Sequence, residues 1–280
     1  MKQRLAMLGV KAAFQTVGRV APGPAARIAE ELFCHPPRAP LRPQEQEFLA
    51  SGGSFQIATS VGPLAAWAWG AGPTVVLVHG WGSRAGRFRV IAPLLTTHGF
   101  RVVAYDGPAH GDSPGHRTSL PEYSAALLEV ASALGPLRAA VGHSLGGAAV
   151  AVALARGLSL ARAVLIAPFA APPDFLDQYA RRVMLTDAVR ERVKASLETR
   201  LGIRMNELHI PGIAARLRTP ALLIHDRDDE DIPLSDGEAI ADAWAGSELV
   251  VTHGLGHHAI MRDAAVAQRI AAFLSQAIDQ

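Results

Sequence analysis

Cysteine, lysine and long apolar stretches are scarce in this chain of 280 residues. The single cysteine, Cys34, has no partner for a disulfide within the chain, so stability must come from a packed core. The 27 basic residues barely exceed the 25 acidic ones, so we expect no nucleic-acid partner, which would need many phosphates neutralised. No uncharged apolar run approaches the roughly 18 residues that a membrane-spanning helix requires.

Apolar residues make up 49% of the chain and charged residues 19%, a balance that excludes general disorder. Near the N-terminus, the apolar stretch Leu5–Val10 ends at Lys11, which makes it shorter than the apolar segment of secretion signals. We therefore expect a cytoplasmic protein. Four apolar residues in the same region have helical spacing and form one stripe: Met7, Val10, Phe14 and Val17. This stripe predicts a helix that packs on the body of the protein or, alternatively, lies on a membrane surface.

Short apolar runs with few charges recur from residue 52 onward and alternate with segments long enough for a crossover helix. Such runs are typical of parallel strands that are buried on both faces, so we predict an α/β fold with a mostly parallel central sheet and flanking helices. The predicted strands are Ser54–Ser60, Leu64–Trp69, Thr74–Val78, Arg101–Tyr105, Ala139–Val141, Ala163–Ile166, Ala221–Ile224 and Glu248–Thr252. Predicted crossover helices include Arg89–Thr97, Pro121–Leu134 and Gly146–Leu158.

Three parts of the chain differ in pattern: a helical extension over residues 1–51, a core over residues 52–168 and 219–280, and a helical insertion over residues 169–218. The linker Ala21–Pro24 is expected to end the first helix, and Pro211-Gly212 to break the insertion. The insertion is expected to cover the strand ends, where ligands bind in parallel sheets. The insertion contains five larger apolar residues: Phe169, Phe175, Leu176, Tyr179 and Met184. These residues either shape a pocket at the strand ends or pack the insertion onto the core.

The most informative motif is Gly142-His143-Ser144-Leu145-Gly146, which lies between a predicted strand and a predicted helix. A serine on so sharp a strand–turn–helix connection is a nucleophile elbow, which places the hydroxyl of Ser144 at the sheet edge. A side chain in place of Gly142 or Gly146 would collide with the turn. The helix that follows presents its N-terminus to any group bonded to the serine.

A serine nucleophile needs a base, an acid that orients the base, and hydrogen-bond donors for an oxyanion. The strand Thr74–Val78 runs into His79-Gly80-Trp81-Gly82, so the backbone N–H of Trp81 is one expected donor. The backbone N–H of Leu145, next to the serine, is the other. His79 is expected to orient its loop rather than to act as a base.

Acidic residues and histidines crowd the segments that follow the last two predicted strands. Five carboxylates lie between Asp226 and Asp231; we expect most to be solvated, and their spacing lacks the glycine and terminal glutamate of a calcium loop. Gly256 frees the backbone to turn the ring of His257 inward as the base. His258 is expected to point away from the site, and His253 to belong to the loop. The alternative is a zinc site built from His253, His257 and His258 together.

In these motifs and in their order, serine then aspartate then histidine, the chain resembles the α/β-hydrolase superfamily from about residue 52 to its C-terminus. In that family the acid commonly lies three residues before a Val/Ile-Pro pair. By this resemblance Ile232-Pro233 selects Asp229, with Asp228 and Asp231 as fallback acids. Asp226 stands where the family pattern has glycine, which is a departure in this loop.

The loop Asp106–Ser113 also resembles a family feature, whose role there is mainly structural, so we assign no catalysis to its acidic residues or to His110. A dehalogenase-like subgroup of the family uses aspartate as nucleophile, and Ser144 argues against that chemistry.

The resemblance implies a serine hydrolase that cleaves a carboxylic ester or thioester through an acyl-enzyme, with Ser144 as nucleophile, His257 as base and Asp229 as the orienting acid. It implies a small-molecule acyl ester as substrate and no metal or organic cofactor. Two alternatives stay open. An acyltransferase would use the same triad, and a non-catalytic small-molecule-binding module would keep the fold without the reaction.

Overall fold

The computed structural model describes residues 11–12, 14–38 and 40–277, and these residues form two units. The larger unit comprises the described part of Pro37–Ala170 and Ile210–Gln280. The smaller unit comprises the described part of Met1–Pro36 together with Ala171–His209. Among the helices of these residues, none combines the length and the apolar character that crossing a membrane requires.

The centre of the larger unit is a sheet of eight strands: β1 (Gly53–Ile57), β2 (Leu64–Trp69), β3 (Thr74–Val78), β4 (Arg101–Tyr105), β5 (Leu137–His143), β6 (Arg162–Ile166), β7 (Ala221–Asp226) and β8 (Ser247–Thr252). Their order in the sheet is β1-β2-β4-β3-β5-β6-β7-β8. The pairs from β4 to β8 along this order are parallel, whereas β2 pairs with β1 and with β4 in antiparallel fashion. The predicted mostly parallel sheet is therefore confirmed.

The described helices lie before the first strand, between the strands and after the last strand: α1 (residues 14–20), α2 (Pro22–Cys34), α3 (Pro43–Ala50), α4 (Ile91–Thr97), α5 (Leu120–Leu134), α6 (Leu145–Ala155), α7 (Pro172–Val183), α8 (Asp187–Leu201), α9 (Ile210–Ala214), α10 (Leu234–Ala243), α11 (Gly256–Ala259) and α12 (Ala264–Ser275). Short 3-10 helices cover Ala85–Phe88, Met205–Leu208 and Ile260–Arg262. The insertion after β6 is helical, as predicted.

The central strands consist mostly of apolar residues, as expected of strands that are covered on both faces of the sheet. Every residue of β3 and of β6 is buried. Val75 and Leu77 of β3 lie in one core cluster with residues of α4 and α12. Helix α6, buried from Leu145 to Leu154, packs against α5 and α9 and contacts β3 and β5.

The register of the sheet brings the carboxyl ends of its parallel strands to one edge. Gly142 on β5 pairs with Val78 on β3 and with Leu165 on β6, and Ile166 pairs with Ile224 on β7. The loops after β3, β5 and β7 therefore leave the sheet side by side. This is the edge at which open α/β sheets bind their ligands.

The smaller unit is helical, and its core forms where α2 packs against α8. Ala29 of α2 and Val189 of α8 are both fully buried in this core. Leu176 of α7 lies in the same cluster, and the hydroxyl of Tyr179 donates to the carbonyl oxygen of Ala29 at 3.0 Å. These two residues of the insertion thus take part in packing within the smaller unit, whereas Met184 is exposed.

The two units have boundaries that differ from the division predicted from sequence, which kept residues 1–51 together. Helix α3 belongs to the larger unit, because Glu45 on it pairs with Arg87 at 3.3 Å between Oε1 and Nε. The chain also packs closely there, since a Cβ at Gly86 would lie 2.8 Å from the Cβ of Glu45. Helix α2 instead packs with the helices of the insertion.

Prolines begin helices at two places where the sequence predicted a break. The first helix ends at residue 20, as the linker Ala21–Pro24 predicted, but the rest of this linker is helical, because α2 begins at Pro22. The predicted break at Pro211-Gly212 was wrong, because α9 runs through these two residues. Pro22 and Pro211 lie in the first turn of a helix, where backbone N–H groups have no intrahelical acceptor. The absence of this group in proline therefore removes no hydrogen bond of the helix.

The predicted N-terminal stripe is described only in part. Met7 and Val10 lie outside the described residues. Phe14 is buried in the core of the smaller unit, whereas Val17 is 44% exposed, so these two residues do not share one buried face.

Candidate active site

Ser144 lies on the tight turn that joins β5 to α6. Its backbone has φ 53° and ψ −119°, a conformation that residues other than glycine rarely adopt, and its N–H donates to the carbonyl oxygen of Ile166 at 2.9 Å. A Cβ at Gly146 would lie 2.0 Å from the carbonyl oxygen of Val78, and one at Gly142 would lie 2.4 Å from that of Gly146. Only glycine fits these two positions, so the turn has the strained geometry predicted from the motif.

A cavity of about 210 Å³ opens beside this turn. The described residues that line it all belong to the larger unit. Apart from Pro37, they come from the end of β5 and the turn after it, from the loop after β3 and from the segment after β8, among them Trp81, His143, Ser144 and His257. The side chains of Ser144 and His257, which are 113 positions apart in sequence, thus line one cavity at the carboxyl edge of the sheet.

The imidazole of His257 is held by the carboxylate of Asp229. Nδ1 of His257 lies 2.7 Å from Oδ2 of Asp229, and both side chains are buried. Because an ionised carboxylate can only accept hydrogen bonds, Nδ1 is the donor. A neutral imidazole in this tautomer carries its lone pair on Nε2, where it can accept a proton.

The carboxylate of Asp229 is fixed by its own loop. Its Oδ1 accepts hydrogen bonds from the backbone N–H groups of Asp231 at 2.9 Å and Ile232 at 2.8 Å. Burial favours the neutral acid, but the hydrogen bonds from His257 and from this loop outweigh it and lower the pKa of Asp229 below its usual value. The side chain is therefore an anion at neutral pH.

The two fallback acids and the two other histidines are exposed and do not take part in the contact between Asp229 and His257. Asp228 is exposed, and its Oδ2 accepts from the backbone N–H of Gly254 at 2.8 Å. Asp231 is exposed and lies 3.6 Å from His258, whose side chain is 76% exposed. His253 is exposed as well. The carboxylate that contacts His257 is that of Asp229.

Asp226 is a residue whose role the sequence did not indicate. Its side chain is fully buried, and its two oxygens accept from the backbone N–H groups of Asp228, Leu255 and Gly256 at 3.0, 3.2 and 2.9 Å. The hydroxyl of Thr252 donates to it as well, at 2.6 Å. Burial opposes its ionisation, yet these hydrogen bonds lower its pKa. Asp226 therefore ties the end of β7 to the segment that leads into His257.

His143 joins the nucleophile turn to the segment that carries His257. Its Nε2 lies 2.9 Å from the carbonyl oxygen of His257, so the N–H group donates to that oxygen. Burial, assisted by the nearby His257, lowers the pKa of His143 to about 3. The ring is therefore neutral near pH 7 and acts as a hydrogen-bond donor. In the sequence, His143 stands out only as part of the motif around Ser144.

The loop after β3 is held by two buried histidines. Nε2 of His79 accepts from the backbone N–H of Gly107 at 2.9 Å, and its Nδ1 donates to the carbonyl oxygen of Gly80 at 2.8 Å. Nε2 of His110 accepts from the backbone N–H of Gly82 at 3.0 Å. Burial lowers the pKa of His79 to about 4 and that of His110 to about 3, so both rings are neutral acceptors. These contacts agree with the structural role expected for His79.

The expected oxyanion donors flank Ser144. Trp81 lines the cavity in the loop after β3, and Leu145 is the first residue of α6, where a backbone N–H has no intrahelical acceptor. The two segments lie in close contact, because a Cβ at Gly80 would lie 2.9 Å from the Cβ of Ser144. A small acyl group could therefore meet both segments at once.

The loop Asp106–Ser113 supports this region without lining the cavity. The buried carboxylate of Asp106 accepts from the backbone N–H groups of Ala85 at 2.7 Å and Asp112 at 2.8 Å. Arg84 lies 3.5 Å from Asp106 and 2.8 Å from Asp112. Within the described ranges, no three His, Cys, Asp or Glu side chains are grouped so that they could share a metal ion.

Comparisons with known proteins agree with this fold. A family model described as serine aminopeptidase, S33, matches residues 71–208, and one described as TAP-like protein matches residues 206–278. The chain is similar to a hydrolase structure from Pseudomonas aeruginosa, with 25% identity and a TM-score of 0.63 over 81% of this chain and 100% of that one. An esterase structure from Exiguobacterium antarcticum shares the fold, with a TM-score of 0.62 at 15% identity over 80% of this chain and all of that chain.

Curated relatives of this chain include peroxidases and esterases by name. The chain is 27% identical over 241 residues, 68% of this chain and 87% of the relative, to a non-heme haloperoxidase of Rhodococcus erythropolis. It is 45% identical over 80 residues to a pimeloyl-[acyl-carrier protein] methyl ester esterase of Chromobacterium violaceum, a match that covers 28% of this chain and 30% of that protein. These matches support a hydrolase role. With the sheet described above, the two family models and the structural neighbours show that the chain belongs to the α/β-hydrolase superfamily.

Proposed function

We propose that this protein is a serine hydrolase that cleaves a small carboxylic ester or thioester through an acyl-enzyme on Ser144. The observation that carries the proposal is one arrangement. A serine on a strained turn lines the same cavity as a histidine whose Nδ1 lies 2.7 Å from a buried carboxylate. A base, an orienting acid and an accessible hydroxyl are the parts that nucleophilic acyl transfer requires.

In the proposed first half-reaction, Oγ of Ser144 attacks the acyl carbon while Nε2 of His257 takes its proton. The carbonyl oxygen becomes an oxyanion, which the backbone N–H groups of Trp81 and Leu145 stabilise. The tetrahedral intermediate then collapses, and His257 gives its proton to the departing alcohol or thiol. Asp229 stays ionised and stabilises the imidazolium between these two transfers.

In the second half-reaction, His257 takes a proton from water as the water oxygen attacks the acyl-enzyme. The intermediate collapses to release the carboxylic acid, and the proton returns from His257 to Ser144. The triad alone moves the protons in both halves. The same steps with an alcohol or amine in place of water would make the protein an acyltransferase.

Esterase names among the relatives support the choice of an ester, whereas the haloperoxidase name points to another reaction. The test is the release of 4-nitrophenol from short-chain 4-nitrophenyl esters by the full chain and by Ser144→Ala. We expect hydrolysis by the wild type and its loss in the variant, with circular dichroism showing that the variant is folded. Equal rates for the two proteins would contradict the proposal, and a halide-oxidation assay on the same samples would then test the other reaction.

A further inference from the structure

The described lining of the cavity beside Ser144 carries a net positive charge. Among the described residues that line it are two arginines, Arg87 and Arg262, and no Asp or Glu side chain lines it. Arg87 lies in the 3-10 helix Ala85–Phe88 and Arg262 ends the 3-10 helix Ile260–Arg262, and these two helices contact each other. The two guanidinium groups thus come from the loop after β3 and from the segment after His257, the same segments that form the reaction site.

The charge of Arg262 is not neutralised within the described part of the chain. Arg87 lies 3.3 Å from the carboxylate of Glu45, and His258 lies 3.6 Å from that of Asp231. Arg262 has no ion pair or side-chain hydrogen bond with any described residue, and it is exposed. The cavity is therefore lined by an arginine that has no counter-charge among the described residues.

Further arginines strengthen the positive potential at this place. Burial lowers the pKa of Arg87, the carboxylate of Glu45 opposes this, and the charges of Arg42, Arg262 and Arg89 lower it further. Three further guanidinium groups thus lie within electrostatic range of Arg87. A cleft lined by one sign of charge concentrates ligands of the opposite sign.

We propose that the cavity selects ester substrates that carry a second, anionic group, a carboxylate, and that Arg262 binds this group with the help of Arg87. The proposal rests on the proposed function and names its substrate class. Arginine suits the role because its planar fork donates two parallel hydrogen bonds to a carboxylate. In a cavity of only about 210 Å³, a short molecule that reaches Ser144 also reaches the arginines. The carboxylate belongs to the acyl chain or to the alcohol, and the experiment separates the two sources.

The test compares anionic and neutral esters in pairs. Mono-4-nitrophenyl adipate against 4-nitrophenyl heptanoate places the charge on the acyl side, and 4-carboxyphenyl acetate against phenyl acetate places it on the alcohol side. For each pair the ratio of kcat/KM is measured in the wild type and in Arg262→Met, so that differences in intrinsic reactivity cancel. The matched control is Arg156→Met, since Arg156 is exposed at the end of α6 and does not line the cavity.

We expect Arg262→Met to lower the anionic-to-neutral ratio about tenfold for at least one pair, the size of a lost charge-assisted hydrogen bond, and Arg156→Met to leave it unchanged. Unchanged ratios for both pairs in Arg262→Met would overturn the inference. Such unchanged ratios would not contradict the proposed function as long as hydrolysis is lost in Ser144→Ala. If Ser144→Ala hydrolyses the esters as fast as the wild type, the proposed function fails instead.

A binding measurement tests the site without catalysis. Adipate is titrated into Ser144→Ala and into the double variant with Arg262→Met, and the heat of binding gives Kd. We expect the second substitution to weaken adipate binding about tenfold, because the same charge-assisted bonds are lost. The same Kd for both proteins would contradict an anion site at Arg262, whatever reaction the protein catalyses.

Discussion

Nδ1 of His257 and Oδ2 of Asp229 lie 2.7 Å apart, although the two residues are 28 positions apart in sequence. Asp229 follows β7 and His257 follows β8, and these strands are parallel neighbours that end at the same edge of the sheet. Asp226 ties the two segments together through backbone N–H groups on both. The contact therefore depends on the packing of two strands as well as on the two side chains.

Asp229→Asn is expected to lower kcat about 10⁴-fold, because an amide can donate to Nδ1 and would favour the wrong tautomer of His257. Stopped-flow or steady-state hydrolysis of a 4-nitrophenyl ester measures the effect. The matched control is Asp228→Asn, since Asp228 is exposed and does not contact the imidazole. A loss of less than about tenfold in Asp229→Asn would mean that another carboxylate orients the base.

His143→Ala is expected to lower kcat/KM about tenfold, because the carbonyl oxygen of His257 loses its donor and the imidazole shifts relative to Ser144. His143→Gln is expected to recover most of the activity, since its side-chain amide can donate to the same oxygen. A purely structural role would give equal losses in both variants after correction for the folded fraction. Equal activities in all three proteins would show that this hydrogen bond does not position the base.

Much of the fold follows from the residues themselves. The structure reproduces the predicted bounds of Thr74–Val78 and Arg101–Tyr105, because each is a continuous apolar run next to glycine or a chain turn. The nucleophile turn was also predictable, since the glycines on either side of Ser144 have no space for a side chain. The local sequence pattern is sufficient to predict a strand that is buried on both faces, or a turn in which only one residue type fits.

Helix α3 was missed, although the sequence contains a signal for it. Pro43 opens the helix, and the side chain of Glu45 accepts from the backbone N–H of Arg42 at 3.2 Å, as in a capping box. The polar composition of the segment concealed the pattern. The roles of Asp226 and His143 had no such signal, because they depend on backbone groups of distant loops, whose directions no periodicity encodes.

Gly146→Ala is expected to destabilise the protein by about 3 kcal/mol or more, because its Cβ would lie 2.0 Å from a backbone oxygen that no side-chain rotation can move. The midpoint of urea unfolding measures the change. Gly23→Ala is the matched control, since a Cβ there meets nothing within 4 Å and alanine favours a helix. Equal midpoints for the two variants would show that the turn can relax.

The protein is expected to lose stability between pH 7 and pH 5. Burial lowers the pKa values of His79, His110 and His143 from 6.5 to about 4, 3 and 3. Below pH 6.5 the unfolded chain binds protons that the folded chain does not, so the free energy of unfolding falls as pH falls. Each ring contributes about 2 kcal/mol of this loss at pH 5.

Urea unfolding of the wild type and of His143→Gln at both pH values checks this expectation. The variant has one buried titratable ring fewer, so we expect its loss of stability to be about 2 kcal/mol smaller. His98→Gln is the control, since His98 is exposed and its replacement should leave the pH dependence as it is. Stability that rises towards pH 5 would contradict buried, neutral histidines.

A fluorophosphonate probe, which phosphonylates a serine only where a neighbouring base activates it, tests the central claim most directly. The full chain is treated with the probe, and intact-mass spectrometry and peptide mapping locate the adduct. We predict one adduct per chain on Ser144, absent in Ser144→Ala and formed at least a hundredfold more slowly in His257→Ala. Folded wild-type protein that stays unlabelled, or that is labelled as fast without His257, would contradict an activated nucleophile at this site.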